Sequence, residues 1–192
     1  MESDSTGFST FVAGPILCLT QGVAAEKPTT SLRYSSDPAD LDLVEPAWNA
    51  LQEHHSTVVP SLGDETPPRG LADAWERRRA KYEGWLADPE TFFVIAERDG
   101  AVAGYAFLTV APGFAAWETG SIANLETLSV VSAQRRSGLG AQLLEAAWSR
   151  LAERDICEMA ITAATSNVDS HRFYERHGFK QAFVVYYGKR DE

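Results

Sequence analysis

Cysteine is scarce in this chain. Cys18 and Cys157 stand far apart, and no Cys-x-x-Cys pair occurs in the 192 residues. A disulfide framework and a thiolate zinc cage are therefore not expected, and a reducing, cytoplasmic setting fits. Histidine is also rare. Of the four, His54 and His55 are adjacent; neighbours in sequence seldom share one ion, and with no third ligand nearby no metal site is expected. Basic residues are too few to balance the acids, and the net charge is −10, with an isoelectric point near 4.9. Such a surface repels phosphate backbones. Nucleic acid and anionic membranes are not expected partners, whereas a cationic small molecule is tolerated. Long apolar runs are missing too. The stretch Phe11 to Leu19 is too short to span a bilayer. It has the length of a signal-peptide core, but Glu2 and Asp4 precede it where a signal carries Lys or Arg, and the first basic residue is Lys27. Residues 1–30 are expected to form a loose or accessory tail, with a secreted protein as the alternative.

What is present describes one ordinary soluble domain. The chain is 44% hydrophobic and 23% charged, and residues 31–192 are long enough to bury a core. Ser31 to Ser35 reads as a first strand. Asp37-Pro38 signals a helix start, with Asp37 as N-cap, and Leu41, Val44, Trp48 and Leu51 recur at helical spacing. His54 to Arg69 is rich in Pro, Gly and Asp and reads as a loop. A second helix is expected from Leu71 to Leu86, with Trp75, Tyr82 and Trp85 toward the core. Thr91 to Glu97 is strand-like, Asp99-Gly100 is a hairpin signal, and the return strand runs from Ala101 to Val110. A loop from Pro112 to Gly120 carries Phe114 and Trp117. Ile122 to Val131 is the next strand. Leu139, Leu143, Ala147 and Leu151 mark one stripe of a helix ending near Arg154-Asp155. Glu158 to Thr165 is a strand, Asn167 to His177 a helix capped by Gly178, and Lys180 to Tyr187 a closing strand. The order is β-α-α-β-β-β-α-β-α-β, an α/β (α+β type) arrangement with a mixed, mostly antiparallel sheet and helices on both faces.

The segment Arg135-Arg136-Ser137-Gly138-Leu139-Gly140-Ala141 joins a strand to a helix. A helix start presents unpaired N–H groups and a partial positive charge, which suits an anion. A Walker A loop requires Lys-Ser or Lys-Thr after its second glycine, and neither dipeptide occurs. The dinucleotide fingerprint requires a small residue three positions after its second glycine, where this chain has Leu143. An ordinary tight turn is the remaining plain explanation.

Arg135-x-x-Gly138-x-Gly140 resembles the acyl-CoA signature of the GNAT superfamily of N-acetyltransferases. Asn167-Val168-Asp169-Ser170-His171-Arg172-Phe173-Tyr174 followed by Gly178-Phe179 resembles that family's later helix, with Ser170 in place of the usual alanine. The resemblance covers roughly residues 31–187. It implies a GNAT fold and acetyl-CoA as co-substrate, without a metal. The backbone from Arg136 through Ser137, Gly138, Leu139 and Gly140 to Ala141 would face the pyrophosphate, with Arg135 and Arg136 adding charge. Leu128 and Val130 would pair with the pantetheine arm like an added strand, and an N–H there would polarise the thioester carbonyl. Asn167 would contact the arm, serve as a helix N-cap, or do both. Tyr174 matches the usual general acid for the departing thiolate; its plain alternative is a core aromatic. Glu126 stands where many relatives carry an acid on this strand, and held near the substrate it would accept the ammonium proton, directly or through water; its plain alternative is an outward or salt-bridged glutamate. Cys157 shows no partner for thiolate activation, so transfer directly from thioester to amine is expected.

The implied activity is acetyl transfer to a primary amine of a small molecule or peptide. A non-catalytic acyl-CoA-binding regulatory module is the alternative, and a homodimer is left open. The acceptor pocket would come from His54 through Leu71 and from Phe114, Trp117 and Glu118, segments that do not name the acceptor.

Overall fold

The computed structural model describes residues 29–58, 69–114 and 120–186. The tail over residues 1–28, most of the segment before Leu71, and Trp117 and Glu118 lie outside the described residues. Five strands form one sheet in chain order: β1 (Thr30–Ser35), β2 (Phe92–Arg98), β3 (Ala101–Pro112), β4 (Ser121–Val130) and β5 (Glu158–Ala160). The helices are α1 (Leu41–Val58), α2 (Leu71–Leu86), α3 (Leu139–Ala152) and α4 (Val168–Arg176). Strands β1 to β4 pair antiparallel with their neighbours. Strand β5 pairs parallel with β4. No described helix is long and apolar enough to cross a membrane.

Helices cover both faces of this sheet, and its inner strands β2 and β3 read as nearly unbroken apolar runs. The period of two sorts β2 cleanly. Phe92, Val94 and Ala96 join Leu125, Leu139, Leu143 and Leu151 on the α3 side. Phe93 and Ile95 join Tyr105, Phe107, Trp48, Trp75 and Tyr82 on the α1–α2 side. The Asp99-Gly100 turn is a two-residue hairpin loop between paired Arg98 and Ala101. Both turn residues have positive φ, 53° and 79°, as a turn matching the strand twist requires.

Three expectations need correction. Helix α1 runs through His54 to Val58, because the breaker residues begin only afterwards; Ser56 and Thr57 bond back to Glu53 and His54 carbonyls. Strand β5 is three residues long, not eight, because β4 bends away from it. The closing strand expected over Lys180 to Tyr187 is not formed over the described residues, 180–186. Phe183 to Tyr186 have strand-type side chains but stand exposed; propensity alone does not make a strand.

The bend in β4 positions the site. Thr127 pairs with Phe107 and Leu125 with Leu108, so Glu126 is the extra residue of a β-bulge. A bulge leaves one residue without a partner and turns the strand. Strand β5 pairs only with Ile122, Ala123 and Asn124. Beyond the bulge, Leu128 to Val130 keep β3 on one edge and have no described strand on the other.

Candidate active site

The Val131 N–H donates to Ala103 of β3 at 2.9 Å. Successive residues of a strand alternate edges, so Ser129 also faces β3, and the backbone groups of Leu128 and Val130 face the free edge. This edge forms one wall of a cleft of about 210 Å³. Loop residues Arg135 and Gly140 continue the wall. Helix α4 supplies the opposite wall through Asn167, Asp169, Ser170, Phe173 and Tyr174, and α1 closes the top with Leu51 and His54. The volume of the cleft is below that of the usual pocket for a drug-sized ligand. A wider depression of about 620 Å³ beside Trp148, Ile156 and Cys157 lies at the other end of α3 and shares none of these residues.

Gly138, the N-cap of α3, has φ 82° and offers no capping side chain. The first helical bond runs from the Gln142 N–H to the Gly138 carbonyl at 3.2 Å. The N–H groups of Leu139, Gly140 and Ala141 precede it and are available to an anion. The Leu139 side chain is in the core, so only its backbone can serve. Arg136 also has positive φ, 61°, and with Gly138 folds the loop back. A β-carbon on Gly140 would meet the Phe173 ring at an ordinary 3.6 Å. The chain's own packing would accept a side chain there; what it would obstruct is the cleft.

Arg135 lines the cleft and also bonds within the fold. Its Nε donates to the Val130 carbonyl at 3.2 Å and an Nη to the Ala50 carbonyl at 3.0 Å. Arg136 and Ser137 are exposed, and the Ser137 hydroxyl closes the turn onto the Gln134 carbonyl at 2.7 Å. Asn167 is buried and caps α4 through Oδ1, which accepts from the Ser170 N–H at 3.2 Å; its amide donors are not used by the cap.

Tyr174 packs edge-on against Phe173 and Phe179. Its hydroxyl has no hydrogen bond to a described residue. Burial pushes the phenol well above its ordinary range, so it remains a proton donor at neutral pH. Glu126 shares the α1–α2 face with Thr127 because of the bulge, and it accepts from the Thr109 hydroxyl at 2.9 Å. It does not line the cleft. Beside it, the Thr127 hydroxyl bonds buried Tyr82 at 2.6 Å, and Tyr82 bonds Tyr105 at 2.9 Å. Burial raises both phenols. Burial, then Arg135, lowers His54, while Asp169 pulls it the other way. Among the described residues no cluster of three His, Cys, Asp or Glu is placed to hold a metal.

A family model for the acetyltransferase (GNAT) family matches residues 48–179. The chain belongs to that family. The GNAT architecture recurs in solved structures that are similar to it. A GCN5-related N-acetyltransferase from Ralstonia eutropha JMP134 superposes with a TM-score of 0.64 at 21% identity, over 84% of this chain and 99% of its own. The aminoglycoside N-acetyltransferase AAC(6')-Iy in complex with CoA gives 0.62 at 21% identity, over 88% and 100%. The same enzyme with the bisubstrate analogue CoA-S-monomethyl-acetylneamine gives 0.59 at 22% identity, over 85% and 99%. No curated protein matches the chain.

The structure thus brings Leu128, Val130, Arg135, Gly140, Asn167 and Tyr174 of this GNAT chain onto one cleft. Leu51, Ser129 and Phe173 also line it and were not expected there. Leu51 was hidden in an apolar helical stripe, Ser129 in strand alternation and Phe173 inside the motif, where each reads as core.

Proposed function

We propose that this GNAT protein transfers an acetyl group from acetyl-CoA to a primary amine of a small molecule or peptide, by direct attack of the amine on the thioester. The observation that carries the reading is the meeting, in one cleft, of the Leu128–Val130 edge, the glycine loop and the Tyr174 phenol. The free N–H groups at the start of α3 suit a pyrophosphate. The backbone of Leu128 and Val130 can pair with the amide groups of a pantetheine arm, as an added strand would. A Leu128 N–H directed at the thioester oxygen would stabilise the negative charge that develops there.

An attacking amine must be neutral. Glu126, held by Thr109, is the carboxylate proposed to accept its proton, directly or through water. Tyr174 then protonates the departing thiolate. Burial keeps the phenol protonated, so the proton is in place when the thiolate forms. The net charge of −10 favours a cationic acceptor, and similar structures include an enzyme acting on aminoglycosides. A cytoplasmic setting fits the exposed, unpaired Cys157.

Incubation with acetyl-CoA and a panel of aminoglycosides, polyamines, amino acids and peptides tests the reading. Acceptor-dependent release of free thiol is expected. Acetyl-CoA binding without turnover of any amine would favour a regulatory acyl-CoA-binding module instead.

A further inference from the structure

The geometry points to Arg135 as a positioning residue that holds the free half of β4 against α1, leaving phosphate recognition to the backbone of the glycine loop. This rests on the cleft being a CoA site. Beyond Asn124, β4 has no β5 beside it. A strand with one edge open needs another support if its N–H groups are to stay aimed. Side-chain bonds supply it. The Ser129 hydroxyl donates to the Ala47 carbonyl at 2.6 Å. Arg135 donates to Ala50 at 3.0 Å and to Val130 at 3.2 Å. Ala47 and Ala50 are three residues apart, so both bonds reach one side of α1.

The Val130 carbonyl lies on the free edge, where a neighbouring strand would otherwise engage it. Arg135 engages it instead and reaches the helix with the same planar fork. Lysine, a single ammonium on a flexible stem, cannot reproduce two fixed directions at once. Two of the guanidinium's N–H groups are thereby committed to neutral carbonyls inside the fold. Exposed Arg136 is the arginine of the pair not drawn into these bonds.

Two donors separate a positioning role from a phosphate contact. Acetyl-CoA carries the pyrophosphate; acetyl-pantetheine keeps the thioester and arm without it. Arg135→Lys and Arg135→Gln are assayed with both, well below each variant's melting temperature. The expected result is a loss of kcat/KM of about tenfold or more with both donors, carried by kcat, with the ratio between donors as in the wild type. A loss confined to acetyl-CoA, or no loss with either donor, overturns the proposal. Should both variants fail to fold, Ser129→Ala removes the companion bond and no charge, and the same donor-independent loss is expected; its absence overturns the proposal equally. A wild type that neither binds acetyl-CoA nor turns it over removes the proposed function itself, and the positioning role with it. That outcome is distinct from a working enzyme whose Arg135 variants lose only the phosphate-bearing donor.

Discussion

Gly104 of β3 lies so close to Ser129 of β4 that a β-carbon on it would sit 2.5 Å from the Ser129 carbonyl oxygen. Leu143 and the Val130 backbone stand at 3.2 Å from the same point. Any side chain here pushes apart the two strands that carry the cleft's free edge. Gly104→Ala is therefore expected to cost about 1–3 kcal/mol, the range for overpacking a core. Urea unfolding checks this, and an unchanged midpoint would contradict it.

Tyr174 provides the second prediction. Tyr174→Phe removes one hydroxyl with no described hydrogen-bond partner, so the fold should be preserved. Turnover should fall roughly 10- to 100-fold, at or below the usual yield of a general acid. Burial raises this phenol, so its proton persists above the ordinary phenol value of about 10. The wild-type rate should accordingly show no alkaline decline up to about pH 9.5. Unchanged turnover in a folded variant would remove the acid role.

Glu126 is the bulge residue of β4 and is fixed by Thr109. If it takes the ammonium proton, Glu126→Gln should lower kcat most where the free amine is protonated, and the loss should shrink as pH rises and the amine becomes neutral on its own. A profile superimposable on wild type would leave the Thr109 bond as its only role.

His54 and His55 provide a pH test of the fold. Burial lowers both; Arg135 adds to the effect at His54, and His54, Arg78 and Arg135 add to it at His55, with Asp169 alone opposing at His54. Groups with lowered values bind fewer protons folded than unfolded, so the unfolded state gains as pH falls. Their contribution is full above the unfolded value of about 6.5 and drains away below it. The melting temperature should drop between pH 7.5 and 5.5. The double variant His54→Gln, His55→Gln should drop less; equal slopes would contradict the assignment.

Local signals carried much of this fold. The Leu71–Leu86 helix, the Asp99-Gly100 hairpin and the Asn167 cap depend on neighbours in the chain, and each stands where its residues place it. The features that shape the cleft depend on distant partners. The bulge at Glu126 arises from how β3 and β4 register. The shortness of β5 follows from that bend. Arg135 reads from the sequence as charge beside a glycine loop, but its bond to the Ala50 carbonyl, 85 residues away, has no local signal. Chemistry-bearing residue types were legible, and the supports that aim them were not.

The most direct measurement is acetyl-CoA binding and use by the wild-type protein. At a hundred times its dissociation constant, acetyl-CoA adds about 2.7 kcal/mol, which for a domain of this size raises the melting temperature by roughly 5–10 °C. That shift is expected, together with thiol release that depends on an added primary amine. No shift with acetyl-CoA or longer acyl-CoAs, and no thiol release with any amine, would contradict it.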